Sequence, residues 1–262
     1  MLPTEIVQEA AARAGLTPHS IVIRRFDEST APQIQIEPDR YFYPASMIKT
    51  PLALAAMTLV EAGDFNFECT FEVSQENMTD NDKPSPLVPG YTASLRELIE
   101  LMITISDNVA TNMFFDIVGR ERATKIVQER YGLAHTAFYR KLSGSEPLIH
   151  DPQWDGTHRN THSCGDAARV FEMIAAGTAP QAKYLREVLS RQQFNNKLSV
   201  GLHPSDMFAH KTGDTDEVTH DGGILVTEEG LSYIIAVYTG LESSDQNNAR
   251  FGPFMREIRA FL

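Results

Sequence analysis

Ser46 and Lys49 stand three residues apart in Ser-Met-Ile-Lys, at the start of a long apolar stretch. On a helix, residues i and i+3 share a face, so the lysine amine can reach the serine hydroxyl. A serine hydroxyl is a poor nucleophile at neutral pH and needs a neighbouring base. Lysine can be that base when burial or nearby cations depress its pKa. A helix start adds free backbone N–H groups and a positive potential beside the carbonyl under attack. Pro51 has no N–H to donate, which predicts an irregularity near this first turn. Read alone, the pair is equally a helix cap followed by a solvated lysine.

Two further triplets could complete such a site. Ser106-Asp107-Asn108 falls after an apolar helical pattern, and its hydroxyl and side-chain amide suit proton relay and substrate hydrogen bonding. Its plain alternative is a polar linker between helices. Lys211-Thr212-Gly213 ends a strand-like run, offering a fixed charge, a hydroxyl, and room for a ligand against backbone. Each triplet occurs once, and they follow one another in the order Ser-x-x-Lys, Ser-Asp-Asn, Lys-Thr-Gly.

That ordered set resembles class A serine β-lactamases and penicillin-binding proteins. Pro38 to Ser46, with Phe42 four residues before the serine, is similar to the approach to the nucleophile in that family. Ser106 to Asn112 resembles the longer form of the second motif. The resemblance implies a sheet lobe and an all-helical lobe with the site between them. It implies Ser46 as the acylated nucleophile and Lys49 as a base for acylation. Ser106 would pass a proton to the leaving nitrogen, and Asn108 would hold the substrate's side-chain amide. Lys211 and Thr212 would bind the substrate carboxylate beside Gly213. The N–H groups of Ser46 and Asp214 would form the oxyanion hole.

The sequence also departs from that pattern. The family uses a loop glutamate to activate the deacylating water, with Asn112 as its partner. Glu146-Pro147-Leu148-Ile149-His150 resembles the glutamate segment, with Ile149 for Leu and His150 for Asn, which makes Glu146 a catalytic candidate. In a second register Arg140 opens the motif. Leu142 then takes the glutamate position, and Asp155 becomes the expected ion-pair partner of Arg140. Both registers stand. Asp214 places an acid where it would repel an anionic substrate. No arginine lies between Thr212 and Glu228. His210 and His220 could supply positive charge when protonated, or be structural.

The elements that must position these residues follow from periodicity. Helical patterns cover Thr4–Ala14, Ser46–Ala62, a helix capped at Ser94-Leu95-Arg96-Glu97 running to Ile103, Val109–Val118, Arg120–Gly132, Ser163–Ala176, Pro180–Gln192 and Asn247–Leu262. Strand patterns cover Ile21–Ile23, Gln33–Ile36, Met207–Lys211, Val218–Thr227 and Leu231–Tyr238. Asp27–Pro32 reads as a hairpin turn, and Gly222-Gly223 as a bend. Asn77–Gly90 reads as an exposed connection. Residues 140–161 lack periodicity, and long loops of that kind are often functional. The order predicts an α/β (α+β) fold: an antiparallel five-stranded sheet built from both chain ends, flanked by helices, with a helical lobe inserted. The expected unit is one catalytic domain, its sheet lobe about 1–45 and 195–262 and its helical lobe about 46–194.

The 262 residues are 42% hydrophobic, 22% charged and carry a net charge of −12. That balance argues against a nucleic-acid partner, which needs a basic footprint. Cys69 and Cys164 form neither a disulfide framework nor a zinc signature, so no metal or organic cofactor is implied. No apolar run is long enough to span a membrane. The start shows no basic-then-apolar leader, leaving a cytoplasmic chain or a matured exported one. The expected partner is a small β-lactam or peptide-like substrate. Three activities stay open: a β-lactam hydrolase, a related esterase or D-amino-acid peptidase, and a non-hydrolysing penicillin-binding acyl trap.

Overall fold

The computed structural model describes residues 3–26, 33–144 and 149–262. Helix α1 (Thr4–Ala14) ends at Gly15, whose φ of 74° makes the left-handed cap its position calls for. Strands β1 (His19–Arg25) and β2 (Gln33–Ile36) pair antiparallel, with Ile21 opposite Ile36. The predicted turn between them, Asp27–Pro32, lies outside the described residues.

A tight 3-10 turn, Ala45–Ile48, leads into α2 (Lys49–Glu61). This is the irregularity that Pro51 foreshadows, because Pro51 sits in the first turn of α2, where its missing N–H has no partner to lose. Every residue from Lys49 to Leu59 is buried.

Strands β3 (Thr70–Glu72) and β4 (Thr92–Ser94) form a separate two-stranded sheet. Three residues are too short to show alternation, so patterning does not foresee this pair. Helix α3 (Leu95–Thr104) starts at Ser94, whose hydroxyl accepts from the Glu97 N–H at 3.1 Å. The reciprocal half of the predicted capping box is absent: Glu97 Oε1 accepts instead from the Tyr91 hydroxyl at 2.8 Å. Helices α4 (Asn108–Val118) and α5 (Arg120–Lys125) follow, the latter continuing through a wider turn, Ile126–Arg130. Helices α6 (Cys164–Ala175) and α7 (Ala182–Ser190) come after the long loop.

Strands β5 (Met207–Asp214), β6 (Thr219–Val226) and β7 (Ser232–Thr239) return the chain to the sheet before α8 (Asp245–Asn248) and α9 (Phe251–Arg259). The five strands lie in the order β2-β1-β7-β6-β5, with every neighbouring pair antiparallel. Strand β5 extends past Lys211 and carries Thr212, Gly213 and Asp214 along the sheet edge. Gly222-Gly223 does not bend the chain as predicted. Strand β6 runs through both residues, because close backbone approach is what excludes a side chain there: a Cβ on Gly223 would lie 2.2 Å from the Ala209 carbonyl oxygen.

Alternation divides the core between the two sheet faces. Ile21, Ile23, Ile235 and Val237 pack with Val7 of α1 and with Phe254 and Ile258 of α9. Val22, Ile234, Ala236 and Tyr238 point to the other face and join Leu54, Phe114 and Phe171 of the inserted helices. Burial on both faces explains why β7 reads as a nearly continuous apolar run rather than an alternating one.

Candidate active site

Ser46 is half-buried in the turn Ala45–Ile48, and Ala45 before it takes φ 47°. A non-glycine residue in the left-handed region costs about 1–2 kcal/mol. The turn also leaves the Ser46 N–H without an intrahelical acceptor, as first-turn amides are.

The Lys49 amine is fully buried and does not bond to Ser46. Its Nζ donates to Ser106 O at 2.5 Å, Ser106 Oγ at 3.1 Å and Asn108 Oδ1 at 2.8 Å. Three acceptors use every hydrogen of an ammonium. A neutral amine would release one of them and turn a lone pair to a hydroxyl. Burial, then the charge of Lys211, push the Lys49 pKa well below its ordinary value. The site therefore shifts the balance toward that neutral form.

Ser106 sits between α3 and α4 with φ 58°, a second non-glycine residue in the left-handed region. Its neighbours hold it there. Asp107 is buried and caps α4 by accepting from the Ala110 N–H at 2.8 Å. Asn108 donates its N–H to Asn81 Oδ1 at 2.6 Å and its Nδ2 to the Asp80 carbonyl at 2.9 Å. Asp107 is thus the helix cap that the linker reading expects, while Ser106 and Asn108 turn toward Lys49. Asp80 and Asn81 went unnoticed in the sequence because they lie in an Asn/Asp-rich connection with no pattern of its own.

Lys211 reaches Ser106 from the sheet. Its Nζ donates to Ser106 Oγ at 2.9 Å and to the Thr212 carbonyl at 2.8 Å. Burial drives its pKa down to about 7, against the opposing pull of Asp214. The three motifs are thereby joined at one atom, Ser106 Oγ, flanked by the two amines. Thr212 is buried beside them. Gly213 fits where a side chain would not: a Cβ would stand 3.0 Å from Pro44 O and 3.1 Å from Met47 N. This contact sets the free edge of β5 against the Ser46 turn. Thr215 donates its N–H to Val218 O across the strand pair, so alternation turns the Asp214 N–H outward to that edge.

Asp214 holds a partner that the sequence did not suggest. Lys197, 1% exposed, donates to both of its carboxylate oxygens at 2.7 Å. Ser243 and Thr219 hydroxyls donate to Oδ1 at 2.6 and 2.9 Å. Burial works to raise the Asp214 carboxyl, but Lys197 and the two hydroxyls together outweigh it and the pKa falls below its ordinary value. His210 and His220 are both buried rather than open to the cleft. His210 is buried between Asp221 and Asn195. His220 bonds to Tyr43 O and accepts from the Thr239 N–H, and burial lowers its pKa to about 4.

The anchoring of the long loop differs from what the second register expects. Arg140 lies over the Trp154 ring at 4.6 Å, and Asp155 pairs with His158, so no Arg140–Asp155 bridge forms. The buried pair is Arg120 with Asp151, at 2.6 and 2.8 Å. Asn112 is fully buried and clasps the backbone of Leu142, accepting from its N–H at 2.7 Å and donating to its carbonyl at 2.9 Å. Glu146 lies outside the described residues. Among the described residues no group of His, Cys, Asp and Glu is placed to hold a metal, and no helix is long and apolar enough to cross a membrane.

A buried lysine pair thus brackets Ser106 Oγ, where edge strand β5 meets the start of α4. The sequence profile described as the Beta-lactamase enzyme family matches residues 3–258. The extended-spectrum β-lactamase PER-1 of Pseudomonas aeruginosa is 25% identical, over 82% of this chain and 73% of that protein. The structure of PBP-A superposes with a TM-score of 0.83 at 25% identity, covering 100% of this chain and 98% of that one. An ancestral class A β-lactamase superposes with a TM-score of 0.84 at 21% identity, covering 99% of both chains, and shares the fold. The chain belongs to the β-lactamase enzyme family and is a serine β-lactamase-like hydrolase.

Proposed function

We propose that the protein opens the strained amide of a β-lactam by transferring the acyl group to Ser46, and that release of this acyl group is its slow step. The observation that carries the first half is the chain Lys49 Nζ–Ser106 Oγ–Lys211 Nζ, with contacts of 3.1 and 2.9 Å. Neutral Lys49 takes the Ser46 proton as Oγ bonds to the carbonyl carbon. The N–H groups of Ser46 and Asp214 receive the developing oxyanion; losing one such donor costs about 3–4 kcal/mol in the transition state. As the C–N bond breaks, Ser106 gives its proton to the nitrogen and regains one from the Lys49 ammonium. Lys211 keeps the Ser106 oxygen fixed and its charge disfavours protonation of Lys49.

Asn108 has a smaller part in substrate binding than the resemblance implies, because its side chain is already bonded at both ends to Lys49 and Asp80. The second half of the proposal rests on Leu142. Asn112, the expected partner of the loop glutamate, bonds to Leu142, which supports the register that puts an apolar side chain at the water-activating position. Without a carboxylate there, water attacks the ester unassisted.

A chromogenic cephalosporin followed by intact-mass analysis tests both halves. The expected result is a covalent adduct on Ser46 that outlasts the colour change, and no adduct on Ser46→Ala. A folded protein that gives neither colour nor adduct overturns the proposal. An adduct that vanishes as fast as it forms overturns its second half.

A further inference from the structure

Strand β5 and the loop before it pair Lys197 with Asp214 beside the Lys-Thr-Gly motif, and the two differ sharply in exposure. The Lys197 side chain is 1% exposed, the Asp214 side chain 28%. Lys197 has also used its hydrogens: both Asp214 oxygens and the His220 carbonyl at 2.9 Å accept them. The charge that shows at the surface is therefore the acid's. Asp214 Oδ1 takes Lys197, Thr219 and Ser243, whereas among the described residues Oδ2 takes Lys197 alone and keeps a lone pair. Asp221 behind it is fully buried and bonded to His210. Across the cleft Asp82 is exposed, and its charge is felt by both Lys49 and Lys211. Arginine is absent from this end of β5 and β6. Lys211, the cation of this motif, is fully buried and already donates to Ser106 and Thr212.

We propose that Asp214 is a specificity-determining residue: the Lys-Thr-Gly end of the cleft disfavours substrates with a carboxylate beside the leaving nitrogen. It accepts neutral ones, and it favours those with a hydrogen-bond donor there. This inference rests on acylation of Ser46 and concerns which substrates achieve it. An anion at that end faces the Asp214 carboxylate at short range in a partly buried setting, where like charges repel strongly. A neutral ester or amide escapes the repulsion, and an amide N–H can bond to Oδ2.

The test uses a matched pair, benzylpenicillin and its methyl ester, with the acylation rate of Ser46 read by intact mass. The ester is expected to acylate the protein at least about tenfold faster than the acid. Raising salt should speed the acid and leave the ester unchanged, because screening weakens repulsion between charges near solvent. In Asp214→Asn, Lys197 loses its partner and the acid-to-ester ratio should rise by about tenfold or more. If the variant does not fold, the wild-type ratio and its salt dependence decide the matter. An acid that reacts faster than its ester, or a ratio indifferent to salt, overturns the inference. Absence of any adduct from either compound on folded protein overturns acylation itself, and this inference with it.

Discussion

Asn112 holds Leu142 by its backbone, so the side chain at that position can change without breaking either bond. Leu142→Glu should therefore keep the loop in place while adding a base beside the ester. General-base assistance is worth about 10²–10⁴-fold, and we expect release of the acyl group to quicken by about a hundredfold, measured as decay of the Ser46 adduct. An unchanged lifetime would show that Leu142 is not where water is activated. At this scale the sequence was informative where chemistry and spacing coincide. Ser46, Lys49, Ser106 and Lys211 each belong to a motif, and the structure brings the last three within hydrogen-bonding distance. Leu142 and Lys197 belong to none. Leu142 is distinguished by a bond from a residue thirty positions away, and Lys197 by a pairing seventeen positions ahead, neither of which has a local signature.

The loop that bears Leu142 is held to α5 by Arg120 and Asp151, which are 7% and 3% exposed. Asp151 also accepts from the Lys141 N–H at 2.8 Å, next to Leu142. Burial works to raise the Asp151 carboxyl, yet Arg120 and the Lys141 N–H together prevail and its pKa lies below the ordinary value. Removing one member of a buried pair costs about 3–5 kcal/mol, because the other charge stays behind. Arg120→Ala should lower stability by an amount of that order, and hydrogen exchange should speed first in 139–144 and 149–153. Exchange that speeds evenly over the chain would mean that the pair supports the fold at large rather than the loop. Long helices and the strands of the main sheet were readable from periodicity, because burial on one side or both leaves a repeating pattern. The β3–β4 pair, the straight course of β6 through its glycines and the loop's ion pair were not. Each depends on contacts between segments whose own composition is unremarked.

Across the whole molecule, the two central histidines make stability depend on pH in a definite direction. Burial lowers His220 to about 4 and His162 to about 3, from an ordinary 6.5. Below pH 6.5 the unfolded chain binds protons that the folded one refuses, so stability falls as pH drops toward those lower values and levels off beneath them. His220→Asn should have a shallower decline in melting temperature between pH 6.5 and 4 than the wild type, whatever its absolute stability. Parallel curves would remove His220 from that dependence. The overall order of the fold was visible early, since strands at both ends and helices between admit few arrangements. The net charge of −12 told only of surface and not of the cleft, where buried lysines prevail over the average.

Strand β1 lies between β2 and β7, and β7 is completed only at Thr239. During synthesis the amino-terminal hairpin and the helices emerge long before their central partner strand. Lys211 comes within reach of Ser106 only when β5, β6 and β7 have all left the ribosome. On the proposed mechanism the serine is thus disarmed for most of translation, and a product cut short before Thr239 would carry Ser46 without the completed sheet edge against its turn.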